Sequence, residues 1–129
     1  MMKPKKDIYC RILVVDDDYH VALMIKAYCK MKNVDIDIAH SCSEAIYQSS
    51  LNSYSLIMMD LNLSDGLGTE IIPEIQQSQN DATILLMTGD CQGVASGIME
   101  EMGIQYYLAK PFGIKDLSTA IGLSKQPVQ

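Results

Sequence analysis

Four apolar segments of the 129-residue chain each end in a residue that could take part in phosphoryl chemistry. In an open parallel α/β sheet, ligands bind at the edge where the carboxyl ends of the strands meet. Carboxylates, a hydroxyl and an ammonium group gathered there could hold a hard cation and a phosphoryl group. We therefore predict one metal-dependent phosphate site built from Asp16, Asp17, Asp60, Thr88 and Lys110.

The three carboxylates of this set have the chemistry of a magnesium site. Mg²⁺ prefers octahedral oxygen coordination and takes one or two carboxylates together with water and phosphate oxygens. Asp16, Asp17 and Asp60 follow two different apolar segments and supply such oxygens. Without a cation they would repel one another, which raises the pKa of at least one of them. The predicted cofactor is Mg²⁺ or Mn²⁺.

Asp60 is the best candidate for a nucleophile, because a carboxylate can form an aspartyl phosphate. Lys110 would offset the charge on the incoming phosphoryl oxygens, and the Thr88 hydroxyl would donate a hydrogen bond to one of them. Each residue taken alone has an ordinary structural interpretation, such as a helix cap, a loop start or a solvated lysine. Four residues of the required types at four different strand ends favour the functional interpretation.

The elements that position these residues alternate between strand and helix along the whole chain. Alternation of this kind predicts a parallel sheet with helices on both faces. Val34, Ile36 and Ile38 alternate with aspartates, which is typical of a half-buried strand at a sheet edge. We predict an α/β flavodoxin-like (βα)5 fold with a five-stranded parallel sheet in the order 2-1-3-4-5. The other strands are expected at residues 11–16, 55–60, 82–87 and 104–108.

Capping residues predict where several helices begin. Asp18 can cap the first helix, whose expected apolar face includes Met31, and residues 41–44 fit a capping box for a second helix that runs to about Leu51. Residues 64–68 have loop composition, and a third helix follows to about Ser78. The fourth helix, residues 91–102, contains two glycines and is expected to be weak. The last helix is predicted from the helical spacing of Ile114, Leu117 and Ile121.

Bulk properties exclude several functional classes. The net charge is −6 and the isoelectric point about 4.7, whereas a nucleic-acid-binding face needs a basic patch. The sequence has neither a run of about 20 apolar residues nor an apolar signal core. We therefore expect a single cytoplasmic domain over residues 1–129 with no direct contact to nucleic acid or membrane.

The motifs of this chain together resemble the receiver domain of two-component response regulators, with similarity to the chemotaxis regulator. The resemblance covers about residues 9–124, which leaves residues 1–8 and 125–129 as tails. It departs from the family at Ser64, where proline is usual, and in the glycine-rich fourth helix. The matching motifs are the acidic end of the first strand at 12–18, the phosphoacceptor strand at 56–63, the Asp-Gly-x-Gly loop at 64–68, Leu86-Met87-Thr88-Gly89, and residues 107–112.

The resemblance assigns a role to each matching residue. It implies that Asp60 is phosphorylated and that Asp17 and Asp60 bind Mg²⁺ directly, with Asp16 bound through water. It also implies that the backbone carbonyl of Asn62 is a further metal ligand. The remaining implied roles are a switch pair, Thr88 and Tyr107, and a cis peptide bond, Lys110–Pro111.

The same resemblance implies a phosphorylation-controlled signalling switch. The phosphoryl donor would be a sensor histidine kinase or a histidine phosphotransfer protein. Output would pass to a partner or a further domain through the surface of the fourth helix, fifth strand and fifth helix. The domain would catalyse its own phosphorylation and slow dephosphorylation, and would not otherwise be an enzyme.

Three alternatives remain open from the sequence. A haloacid-dehalogenase-like phosphatase also uses a strand-end aspartate with Mg²⁺, but His20 stands where its motif needs threonine or valine. A flavin-binding relative of the same fold would need a phosphate-binding loop in place of the acidic residues 16–18. A receiver domain used only for protein interaction would have lost part of the residue set, which is intact here.

Overall fold

The computed structural model describes residues 11–89 and 94–123. Five parallel strands form one sheet in the order β2-β1-β3-β4-β5, which confirms the predicted topology. The strands are β1 (Arg11–Val15), β2 (Asp35–Ala39), β3 (Leu56–Asp60), β4 (Thr83–Thr88) and β5 (Tyr106–Ala109). The helices are α1 (Tyr19–Met31), α2 (Cys42–Leu51), α3 (Gly68–Ser78), α4 (Val94–Met102) and α5 (Ile114–Gly122).

Two apolar clusters cover the two faces of the sheet. Alternate strand residues point to opposite faces, so Ile57 and Met59 of β3 lie in one cluster and Leu56 and Met58 lie in the other. The first cluster packs under α2, α3 and α4, and the second under α1 and α5. Burial on both faces explains why β3 is an almost continuous apolar run.

The register of the strands brings the candidate site residues to one edge. Val15 is paired with Met59, so the residues that follow, Asp16 and Asp60, lie side by side. In the same sheet Thr88 is paired with Ala109, the residue before Lys110. The predicted convergence of strand ends is therefore present in the structure.

The predicted caps of α1 and α2 are confirmed. Oδ1 of Asp18 accepts a hydrogen bond of 2.9 Å from the amide of His20. The Ser41 hydroxyl accepts one of 3.1 Å from the amide of Glu44. These side chains satisfy amides that have no partner within the helix, which is why the helices begin there.

Three local expectations were wrong. The last strand begins at Tyr106 and not at Ile104. The amide of Ile104 is instead hydrogen bonded to the carbonyl of Met99 at the end of α4. Residues 64–68 are not simply a loop: Asn62–Leu63 pairs antiparallel with Gly66–Leu67. Met31 and Ile114 are exposed, because Met31 is the last residue of α1 and Ile114 is the first residue of α5, beyond the buried part of each helix.

Some expectations lie outside the described residues. They include the two tails and the start of the fourth helix at Cys91, since α4 is described from Val94 onward. Among the helices that the structure describes, none has the length and apolar character needed to cross a membrane.

Candidate functional site

Asp16, Asp17 and Asp60 form one acidic cluster at the carboxyl edge of the sheet. One oxygen from each of the three side chains lies within 4.8 Å of the others. Asp16 is fully buried and Asp60 nearly so, whereas Asp17 is exposed. The cluster therefore joins two desolvated carboxylates to one that is open to solvent. This donor set fits a hard divalent cation that enters from the solvent side.

Lys110 supplies positive charge to the two buried carboxylates. Its Nζ lies 2.8 Å from Oδ2 of Asp16 and 3.1 Å from Oδ2 of Asp60. The contact with Asp60 has the alignment of a hydrogen bond, while the contact with Asp16 is an ion pair without that alignment. Burial acts to lower the pKa of Lys110, but the two carboxylates outweigh it, and the pKa lies above its usual value.

The close approach of these charged groups changes the pKa of Asp60. Burial, followed by the charge of Asp16, raises the pKa of Asp60 from 3.8 to about 6, although Lys110 acts in the opposite direction. The charge of Lys110 thus does not fully offset the effects of burial and of Asp16 on the pKa of Asp60. A divalent cation at the acidic cluster would favour the ionised form of Asp60, so the electrostatics as well as the donor set fit a bound metal.

The backbone around Asp60 is tightly constrained. Oδ1 of Asp60 accepts a hydrogen bond of 3.3 Å from the amide of Asn62. The amide of Gly68 donates to the carbonyl of Leu61 at 2.8 Å. A Cβ at position 68 would overlap the carbonyl oxygen of Asp60, so only glycine allows α3 to begin this close to the end of β3.

The two candidate switch residues differ in burial. Thr88 ends β4 and is buried, and its carbonyl accepts a hydrogen bond of 2.8 Å from the amide of Lys110. Tyr107 lies on the edge strand β5 with 49% of its surface exposed. A cleft of about 410 Å³ is lined by Asn62, Thr88, Gly89 and Ile98, among others. The Lys110–Pro111 peptide bond, which the resemblance implied to be cis, is cis in the structure.

The contacts of Asp65 do not follow from the sequence pattern. The composition of residues 64–68 indicates only a loop, yet the carboxylate of Asp65 accepts hydrogen bonds from the amides of Cys42 at 2.7 Å and Ser43 at 3.2 Å. The one available signal was that the first amides of the second helix needed acceptors. Nothing in the sequence indicates that the acceptor for the amide of Ser43 lies 22 residues further along the chain.

Comparison with known proteins places this arrangement in a family. Residues 12–122 match the family model of the response regulator receiver domain. The response regulator ArlR of Staphylococcus saprophyticus is 31% identical over 120 residues, which cover 91% of this chain and 54% of that protein. The chain thus spans about half the length of the curated relatives it matches.

Solved structures agree with this match. A two-component response regulator from Clostridium difficile superposes with a TM-score of 0.82 at 28% identity, covering 89% of this chain and 94% of that one. A response regulator from Burkholderia pseudomallei, solved with a phosphorylated aspartic acid, a calcium ion and citrate, gives a TM-score of 0.80 at 26% identity. That match covers 87% of this chain and 66% of the other.

Proposed function

Because the chain belongs to the response regulator receiver domain family, we propose that Asp60 accepts a phosphoryl group from a phosphohistidine. The donor would be a sensor histidine kinase or a histidine phosphotransfer protein. The observation that supports this choice of residue is the contact of Lys110 with Asp60 beside two further carboxylates. Asp60 is the member of the acidic cluster that is hydrogen bonded to this lysine and lies at the end of the central strand.

The proposed reaction follows from the groups around Asp60. A carboxylate oxygen of Asp60 attacks phosphorus, the phosphorus–nitrogen bond of the donor breaks, and the imidazole leaves with the electron pair. Lys110, already within 3.1 Å of Asp60, would pair with the phosphoryl oxygens as negative charge gathers there. The amide of Asn62 donates a hydrogen bond to the other carboxylate oxygen, Oδ1, and would help to orient the carboxylate.

The acidic cluster is proposed to hold Mg²⁺ or Mn²⁺. Asp17 and Asp60 would be direct ligands, Asp16 would act through water, and the backbone carbonyl of Asn62 would complete the protein ligands. When bound, the cation would neutralise the carboxylates and a phosphoryl oxygen. The calcium ion in the Burkholderia pseudomallei structure supports a divalent metal in this kind of domain, and the carboxylate ligands suit Mg²⁺ and Mn²⁺.

Phosphorylation is proposed to control a surface rather than to produce a released product. Thr88 would move toward the phosphoryl group, and the exposed Tyr107 would turn inward as Thr88 leaves its position. The surface formed by α4, β5 and α5 would then change and pass the signal to a partner or a further domain. The domain would catalyse only its own phosphorylation and slow dephosphorylation, so it is not proposed to be an enzyme that turns over a free substrate.

Phosphorylation by a small-molecule donor tests this function. Incubation with acetyl phosphate and Mg²⁺ should add one phosphoryl group, measured by intact mass, and Asp60→Asn should abolish the addition while the protein stays folded. Asp35→Asn, at an exposed position of the edge strand β2, is a matched control that should be labelled like wild type. Full labelling of Asp60→Asn would refute the assignment of the acceptor.

A further inference from the structure

The carboxylate of Asp65 connects the turn after Asp60 to the start of α2 through two hydrogen bonds. Asp65 lies at the tip of the short hairpin that pairs Asn62–Leu63 with Gly66–Leu67. Its two oxygens accept hydrogen bonds from the first two amides of α2, those of Cys42 and Ser43. The proposed phosphoryl chemistry makes no use of this contact.

The chemistry of the helix start explains why the contact forms. The first amides of a helix have no partner within it and lie at the positive end of the helix dipole. Ser41 satisfies the amide of Glu44, which leaves the amides of Cys42 and Ser43 to an acceptor from elsewhere. The amide of Cys42 is the main reason that the pKa of Asp65 lies below its usual value. The carboxylate is thus ionised at neutral pH.

The hairpin is short and has few anchors: Leu63 is buried in the first apolar cluster, and the thiol of Cys42 donates to the carbonyl of Leu67 at 3.8 Å. Each of its strands contains two residues, and isolated hairpins are marginal in water even when they are longer. Its turn contains Ser64 and Asp65, neither of which fixes the backbone as proline does. The base of the hairpin is closed by the hydrogen bond from Gly68 to Leu61. The tip is held by Asp65.

The hairpin also carries a residue of the site. Asn62 is its first residue, and the Asn62 amide donates a hydrogen bond to Oδ1 of Asp60. The carbonyl of the same residue is the proposed backbone ligand of the metal. A rotation of the hairpin about its base would therefore move a metal ligand and a hydrogen-bond donor of Asp60 together.

We infer that Asp65 is a positioning residue for the metal and phosphoryl site, because its bonds to α2 hold the hairpin that presents Asn62. This inference rests on the proposed function. It predicts that Asp65 sets the affinity for the metal without touching it, as residues behind the direct ligands commonly do.

Three variants test the inference. Asp65→Ala removes both acceptors, and its dissociation constant for Mg²⁺, measured by calorimetry, should rise about tenfold, the low end for outer-shell changes. Asp65→Asn keeps a neutral acceptor for the Cys42 amide and should give a smaller rise. Ser41→Ala removes a cap from the same helix start, where the Ser41 hydroxyl bonds the amide of Glu44. It should lower the melting temperature and leave the Mg²⁺ dissociation constant as in wild type.

The outcomes separate this inference from the proposed function. Equal Mg²⁺ affinity in Asp65→Ala and wild type would overturn the inference and leave phosphorylation of Asp60 standing. An equal loss of affinity in Ser41→Ala would also overturn it, because the effect would then come from the stability of α2. A wild-type protein that neither binds Mg²⁺ nor accepts phosphate would overturn both. All titrations are made well below the melting temperature of the least stable variant, so that unfolding does not imitate weak binding.

Discussion

Nζ of Lys110 lies 3.1 Å from Oδ2 of Asp60, although β4 separates the strands that these two residues follow. The lysine side chain therefore extends past the end of β4. Its own amide is bonded to the carbonyl of Thr88, the last residue of that strand. Chemistry at Asp60 is thus connected to β5 both through the ammonium group and through the backbone at Thr88. The relationship links the proposed acceptor to the proposed output surface.

Because the pKa of Asp60 is raised, the ionised side chain should lower the free energy of unfolding as the pH rises. The pKa is about 6 in the folded protein and 3.8 ordinarily, so the folded state holds this proton more tightly than the unfolded state. The stability contributed by the protonated group is fully present below the ordinary value and is lost as the pH rises through about 6. Without divalent cations, Asp60→Asn should therefore be more stable than wild type at pH 7, by on the order of 1 to 3 kcal/mol.

Urea unfolding in the presence of a chelator, followed by circular dichroism, measures this difference. The advantage of Asp60→Asn should shrink as the pH is lowered toward 4, because wild-type Asp60 then becomes neutral as well. An advantage that does not change with pH would show that packing, rather than the charge of Asp60, is responsible.

Divalent cations should stabilise the wild-type fold through the acidic cluster. A ligand that binds only the native state adds about 1.4 kcal/mol at ten times its dissociation constant. Asp17 is exposed, so Asp17→Asn should remove a direct ligand while leaving the core unchanged. Millimolar Mg²⁺ should raise the melting temperature of wild type more than that of Asp17→Asn. Equal increases would mean that the cation binds elsewhere.

Two glycines give opposite predictions for the same substitution. At Gly68 a Cβ would overlap the carbonyl of Asp60 and approach Met59, so Gly68→Ala should destabilise the protein by about 1–3 kcal/mol and slow phosphorylation. Gly97 lies exposed in α4 with no atom within 4 Å of an added Cβ. Gly97→Ala should stabilise the protein by up to about 1 kcal/mol. The midpoints of denaturant unfolding measure the stability change of each variant. A change of the same sign in Gly68→Ala and Gly97→Ala would contradict the steric argument.

The sequence was enough to predict the topology and the meeting of Asp16, Asp60 and Lys110, because both depend on local patterns. Alternation of apolar and amphipathic segments specifies a parallel sheet. The alternating pattern of β2 suits an edge strand better than a central one, and β2 lies at the edge of the sheet. Asp16, Asp60 and Lys110 meet because each follows a strand of that sheet. Their meeting needs no information beyond the strand order and register.

Contacts between elements were not predictable, because periodicity gives the buried face of an element but not its partner. Arg11 and the hydroxyl of Tyr54 share Oδ2 of Asp37, at 3.0 and 2.7 Å, and join β1, β2 and the start of β3. The bonds of Asp65 to α2 are of the same kind. Such contacts depend on how side chains from separate elements meet, which only the folded chain determines.

The switch proposal makes the last prediction, and it separates acceptance of phosphate from signalling. Tyr107 is about half exposed on the edge strand β5 and has no proposed role in the transfer itself, so Tyr107→Ala should be phosphorylated almost normally. Thr88→Ala should also accept phosphate, because the Thr88 hydroxyl would bond the phosphoryl group only after transfer. The transfer should be slower than in wild type. Lys110→Ala removes the charge that contacts both Asp16 and Asp60 and should weaken labelling as well as response.

Beryllofluoride, a phosphoryl mimic, allows the response to be measured in a stable state. In wild type with Mg²⁺, its addition should shift NMR resonances of Thr88 and of residues 94–112, and the Tyr107 ring should become protected. The Thr88→Ala and Tyr107→Ala variants should bind the mimic with smaller shifts in α4 and β5. A wild-type protein that takes the mimic at Asp60 without any change in α4 and β5 would refute the switch, since the signal would then have no route from the acceptor through Lys110 and Thr88 to that surface.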